Sequence, residues 1–115
     1  MVSLADNKRI DVDINKHIHE RARFLILAYI AANENSEISF NELKSALNLT
    51  GGNLSVQLRN LEEIGYVKLV KRIENKKTIT RVMLTNKGYQ EFLSYLDNIE
   101  KIIKNVRAKN SERNT

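Results

Sequence analysis

The chain has no cysteine. That excludes a disulfide framework, a thiolate nucleophile and a cysteine-ligated metal. It also lacks a long apolar run: the stretch Phe24 to Ile30, with Tyr29 inside it, is far short of the roughly 20 residues of a membrane span. The N-terminus carries Asp6, Lys8, Arg9, Asp11 and Asp13 and no apolar signal core, so a cytoplasmic protein is expected. Catalytic groupings are missing as well. There is no Ser-His-acid set and no carboxylate pair on one face. Gly51-Gly52 is not followed by the Lys-Ser/Thr of a phosphate loop. His17 and His19 are two residues apart, so on a helix they point about 200° away from each other and share no metal. The expectation is no enzyme, no metal and no cofactor.

What is present is an ordinary folded composition, 42% hydrophobic and 29% charged over 115 residues, enough for one domain with a modest core. The formal net charge of +5 is unevenly placed. Residues 59–87 hold eight basic residues (Arg59, Lys68, Lys71, Arg72, Lys76, Lys77, Arg81, Lys87) against three acids, Glu62, Glu63 and Glu74. The rest of the chain holds eleven of each sign, so the whole excess lies in that one quarter. A localised basic field of this kind is the footprint of a polyanion binder.

Hydrophobic spacing divides the chain. Residues 1–12 are polar and aperiodic and read as a flexible N-terminal arm. Ile14, Ile18, Ala22, Leu25 and Tyr29 recur every three or four residues, which predicts a first helix over residues 13–33. Ser39 and Glu42 form a capping box for a second helix over 40–47, with Phe40, Leu43, Ala46 and Leu47 inward. Asn48-Leu49 turns into Thr50, the N-cap of a third helix that closes at Gly65. Two helices joined by a tight turn are a helix-turn-helix. The period then shifts to that of strands. Residues 66–73 and 78–84 form a β-hairpin around the charged turn Glu74-Asn75-Lys76-Lys77. Thr85 caps a last helix over 86–106 carrying an apolar seam, Tyr89, Phe92, Leu96, Ile99, Ile103 and Val106, at heptad spacing. At 1.5 Å per residue that helix is about 30 Å long, more than one small domain covers. Its far half therefore calls for a second copy of the chain, the alternative being a long helix that folds back on its own domain. The polar tail, 107–115, reads as frayed.

The third helix is the stretch around which the rest is arranged. Leu54, Leu58 and Leu61 share one face. The opposite face carries Gly52, Asn53, Val56, Arg59 and Asn60, with Ser55 and Gln57 on its flanks, after the cap at Thr50. Asn and Gln pair with adenine, Arg with guanine, and a Val methyl touches the thymine methyl. The acids Glu62 and Glu63 come only in the last turn, away from phosphates docked at the helix start. In the hairpin, Lys71, Arg72, Lys76, Lys77 and Arg81 supply charge for the nucleic-acid backbone or minor groove.

These phrases resemble the winged helix-turn-helix transcriptional regulators, broadly of the MarR and ArsR kind. The resemblance is greatest to small archaeal and bacterial winged-helix DNA-binding proteins. It rests on Ile18-His19…Arg23…Ile26-Leu27, on Leu49-Thr50…Gly52-Asn53-Leu54-Ser55…Leu58…Leu61-Glu62…Gly65-Tyr66-Val67, and on Thr80, Leu84-Thr85 and Gly88. It covers about residues 14–96. The chain departs from the family at Arg21 and Thr78, where proline is frequent, and at Gly51, where an acid is frequent. The resemblance implies a mainly α fold with a small β-hairpin, a winged helix-turn-helix over 13–88, and dimerisation through the terminal helix, 89–106. It implies a homodimeric regulator of double-stranded DNA. Two alternatives share the fold: a protein-interaction module, and a non-specific architectural DNA coat that needs the charge but not the Asn/Gln/Arg face.

Overall fold

A computed structural model describes residues 13–33 and 35–113. The expected N-terminal arm lies outside the described residues. The elements run α1 (Arg21–Ala31), β1 (Glu37–Ser39), α2 (Phe40–Leu47), α3 (Gly51–Glu63), β2 (Val67–Glu74), β3 (Lys77–Leu84) and α4 (Asn86–Arg113). The three strands form one antiparallel sheet in the order β1-β3-β2. Leu54, Leu58 and Leu61 of α3 meet Ile26, Leu27 and Ile30 of α1, Leu43 of α2, Val67 and Val82 of the sheet, and Phe92 and Tyr95 of α4 in one core. No helix among the described residues is long and apolar enough to cross a membrane.

The first helix starts later than expected, at Arg21 rather than residue 13. Two side chains stop the backbone from extending it. The Asn15 Oδ1 accepts from the N–H groups of His17 (2.8 Å) and Ile18 (3.3 Å), and the Glu20 carboxylate accepts from Ala22 (3.1 Å) and Arg23 (2.9 Å). Such local bonds compete with helical ones. Ile18 is nonetheless fully buried, so its spacing reported burial and not helix. His17 and His19 therefore lie in a turn. His17 meets the Tyr66 ring edge-on, and His19 Nδ1 lies 2.7 Å from the Tyr95 hydroxyl. α1 also ends at Ala31, two residues early, where the Asn33 side chain donates to the Tyr29 carbonyl.

β1 was not expected at all. Its three residues carry no strand pattern of their own, and only pairing with β3 makes them one: Glu37 opposite Met83, Ile38 opposite Val82 and Ser39 opposite Arg81. In α2 the Ser39 hydroxyl accepts from the Glu42 N–H at 3.1 Å, as the capping box requires. Ala46, expected inward, is exposed, because the short helix gives its core only Leu43, with Phe40 and Leu47 partly covered. Asn48 takes a left-handed conformation (φ 52°) that ends α2 and sets up the turn.

The hairpin turns on Asn75 (φ 52°) and Lys76 (φ 64°). Positive φ at both central residues of a two-residue loop matches the twist of the strands. Gly65 closes the turn after α3 at φ +85°. At Gly88 the first turn of α4 lies so close to Tyr66 that an added Cβ would sit 2.2 Å from its carbonyl oxygen. α4 itself runs to Arg113, well past the expected end at Val106. Nothing after Gly88 is a glycine or proline to stop it, and Glu100–Lys104 supports it at i, i+4. Residues 107–113 are therefore helical and not a frayed tail.

Candidate nucleic-acid interface

The third helix is held from inside and offered from outside. Leu54, Leu58 and Leu61 are at most 1% exposed. Thr50 accepts the Asn53 N–H at 3.1 Å, and no acid occupies the first turn, so the positive end of the helix dipole is unopposed. At the other end Lys87 Nζ donates to the Ile64 carbonyl at 2.9 Å, and the Thr85 hydroxyl bonds the Gly65 and Tyr66 carbonyls. Thr50, Gly52, Asn53, Ser55, Val56, Arg59 and Asn60 are all exposed on one continuous surface. Val56 is 49% exposed, a large apolar side chain facing solvent. Glu62 is turned to the hairpin, where its carboxylate accepts the Leu69 N–H at 3.0 Å.

Gln57 is different. It is only partly exposed, and its amide is engaged: Arg23 Nη1 donates to Oε1 at 2.8 Å, and Nε2 donates to Asn53 Oδ1 at 3.3 Å. Gln57 thus does not offer both edges of its amide to a base. Arg23, on α1, is the residue that sequence reasoning missed here. Its contact to Gln57 spans 34 positions, so no local pattern announces it. Lys44 was missed too. Its Cε lies 4.0 Å from where a Cβ on Gly51 would stand, beside the start of α3.

The hairpin residues divide between two faces of the sheet. Pairing sets Leu69 against Val82, Lys71 against Thr80 and Ile73 against Thr78 on one face. This face adjoins α3, and Lys71 and Thr80 line a groove of about 370 Å³ with Ser55, Leu58 and Arg59. Arg72 and Arg81 lie on the other face, where both converge on the Glu37 carboxylate, at 3.0 and 3.4 Å. Of the five basic hairpin residues, the structure groups Lys71 with α3, leaves Lys76 and Lys77 exposed at the tip, and ties Arg72 and Arg81 to β1. Among the described residues, Arg59, Lys71, Lys76 and Lys77 make no ion pair. Arg59 and Lys71 thereby lie beside the outer face of α3, with Glu62 in the same groove, and Lys76 and Lys77 stand at the hairpin tip.

The seam of α4 also divides. Phe92 is buried in the chain's own core with Tyr95, stacked on it and tilted against Phe24, and Ile99 packs on the same core. Tyr89, Leu96, Ile103 and Val106 are 38–50% exposed, as is Leu93, which the seam did not include. At 100° per residue the buried stripe and the stripe through Tyr89, Leu93, Leu96 and Ile103 are about 90° apart. Phe92 is consequently not available to a second chain.

One acid near this assembly is perturbed. Burial alone would raise the Glu20 carboxyl, but the backbone N–H groups of Arg23 and Ala22, with the charges of Arg23 and Arg21, outweigh it and hold it below its ordinary value.

Comparison with known proteins agrees with this fold. A protein of Methanocaldococcus jannaschii, itself uncharacterized, is 40% identical over 86 residues, covering 75% of this chain and 91% of that one. The structure of a transcriptional regulator homologue from Pyrococcus horikoshii superposes with a TM-score of 0.73 at 27% identity, over 78% of this chain and 87% of that chain. A MarR family regulator from Streptomyces coelicolor, solved in complex with DNA, shares the fold (TM-score 0.59, 21% identity, 74% of this chain) although the match spans only 55% of its length. The family model of the winged helix DNA-binding domain matches residues 22–103. With that match running from α1 into α4, across the helix-turn-helix and the wing, the chain belongs to the winged-helix DNA-binding domain family, whose fold it shares with the MarR-family transcriptional regulators.

Proposed function

We propose that this chain is a transcriptional regulator that binds double-stranded DNA sequence-specifically as a homodimer. The observation that carries this reading is the open face of α3. Asn53, Ser55, Val56, Arg59 and Asn60 are exposed together on a helix locked in place by three buried leucines. Groups that bond base edges lie there with almost no competing charge in the first half of the helix, with Arg59 and Lys71 beside them and Lys76 and Lys77 at the hairpin tip. α3 enters the major groove. Arg59 reaches guanine or a phosphate, and the wing tip holds the backbone, which positions the protein without reading sequence. That a Streptomyces coelicolor regulator of the same fold was solved in complex with DNA supports binding to DNA. The exposed stripe of α4 supports the dimer, since an apolar helix face left bare by its own domain is buried by a two-fold copy.

Selection from random duplexes tests the specificity. The wild type is expected to recover an inverted repeat with half-site centres about one helical turn, roughly 10 bp, or a multiple apart. Arg59→Ala should cost about 1–3 kcal/mol on that site and much less on random duplex. Recovery of no motif favours the architectural coat, and absence of binding at low salt favours the protein-interaction module. The wing is read separately through salt. Each neutralised phosphate contributes about −0.9 to the slope of log K against log salt, so Lys76→Ala with Lys77→Ala should flatten it by roughly 2 per wing while leaving the preferred sequence intact. An unchanged slope would place the wing tip off the DNA.

A further inference from the structure

The chain Arg23–Gln57–Asn53 has a chemical polarity. A guanidinium has only donors, so the Gln57 atom 2.8 Å from Arg23 Nη1 must be the amide oxygen. The Gln57 nitrogen is then the atom left to face Asn53, and because it donates, the Asn53 atom 3.3 Å away must be its oxygen. Each amide oxygen thereby has one of its two lone pairs taken and is turned toward its partner. Three amide N–H bonds, two on Asn53 and one on Gln57, have no partner among the described residues. Arg23 is itself fixed. Its Nε donates to the His17 carbonyl at 2.6 Å, and its side chain is about 20% exposed. One arginine on α1 thus decides which edge two residues of α3 turn outward.

We propose that Arg23 is a positioning residue that makes the first half of α3 a donor face, so that Asn53 and Gln57 select guanine rather than adenine. Adenine offers the major groove one acceptor and one donor, and a bidentate amide meets both with its own nitrogen and oxygen. With each oxygen turned toward its partner and sharing its acceptor capacity, that pairing is disfavoured. Guanine offers two acceptors, N7 and O6, which match outward N–H groups. The inference rests on the DNA-binding reading above and reverses what Asn and Gln suggest from sequence.

The experiment is selection from random duplexes with wild type, Arg23→Met, Arg23→Lys and Gln57→Glu in parallel. The wild type should prefer guanine over adenine at one or two positions of each half-site by about tenfold. Arg23→Met frees the amides to turn and should shift those positions, and no others, toward adenine. Arg23→Lys keeps the charge but loses the planar fork, and should lie between the two. Gln57→Glu leaves the Arg23–His17 contact in place. Its carboxylate only accepts, so Asn53 must present its oxygen outward and the guanine preference should be lost. The side-chain amide resonances of Gln57 and Asn53 in the free protein give a second readout, expected to be dispersed in wild type and collapsed in Arg23→Met. Uniform weakening of every position by Arg23→Met, with the base preferences intact, would reduce Arg23 to a structural anchor and overturn the proposal. A wild type that recovers no motif would overturn the sequence-specific reading and this proposal together, whereas a motif insensitive to all three variants would overturn this proposal alone.

Discussion

α3 and α4 are both amphipathic, and the chain treats them in opposite ways. Every large aliphatic on α3 except Val56 is buried, and what it shows to solvent is polar. α4 buries Phe92 and Tyr95 and leaves Tyr89, Leu93, Leu96, Ile103 and Val106 about two-fifths to one-half exposed. One helix is completed by its own domain and the other is not. The two outward surfaces therefore fit partners of different chemistry. Polar groups on a rigid helix discriminate among hydrogen-bonding partners at little cost in desolvation. An apolar stripe has no such discrimination and is stabilised by any matching apolar surface, of which an identical copy is the one always at hand. The 28 residues of α4, about 42 Å at 1.5 Å per residue, carry that stripe beyond the core.

The largest effect should come from breaking α4's side of this contrast. Leu93→Lys with Ile103→Lys places four charges in the two-fold interface proposed above. Each can lose at most the burial of the two-fifths of its surface left exposed, roughly 0.6–1.2 kcal/mol, so the four should weaken dimerisation by about 2–5 kcal/mol, to which the burial of the charges adds. Sedimentation should then find monomers, while circular dichroism finds the helices intact, because neither residue belongs to the core cluster. A double mutant that remains dimeric would move the interface elsewhere. Ile99 is the wrong site for this test, since it packs on the chain's own core.

On α3 the comparable change acts on folding. Leu58→Ala removes a side chain 1% exposed from the centre of the core and should destabilise the monomer by about 2–5 kcal/mol. Leu96→Ala, at 39% exposure, should change denaturant unfolding of a monomeric background by well under 1 kcal/mol. Equal losses at the two positions would show that α4 is buried in a way its exposure does not record.

The same contrast explains what the sequence disclosed. α3, the hairpin turn and the caps at Ser39, Thr50 and Thr85 were legible because their causes lie within a few residues. The start of α1 was misplaced because Ile14 and Ile18 carry helical spacing while Asn15 and Glu20 bond the backbone another way. β1 exists only through partners more than forty positions away. Glu37's hold on Arg72 and Arg81, Arg23's on Gln57, and the side of α4 that turns inward are all contacts between distant segments. Residue types marked which face of α3 is open to solvent, yet which of its donors and acceptors remain open depends on a side chain from another helix.

The smallest effect separates α3 from α1, the helix beneath it. α3 is capped by the Thr50 hydroxyl and α1 by the Glu20 carboxylate. A hydroxyl cap does not titrate in the range where proteins fold, so Thr50→Ala should cost about 1 kcal/mol at neutral pH and the same at pH 4. Glu20 is an acid whose carboxyl is held below its ordinary value of 4.5. A lowered folded value means that its stabilisation is fully present above the unfolded value and is lost as pH falls through the folded one. Its side chain is 35% exposed, so solvent screens the charge and the contribution should be at the low end for a cap, roughly 0.5 kcal/mol. Glu20→Ala should therefore destabilise the protein by that amount at pH 7, and the difference from wild type should vanish well below pH 4.5. Urea unfolding of wild type and the two variants at several pH values measures both. A Glu20→Ala deficit that persists undiminished into acid would mean that the carboxylate does not act as a charged cap.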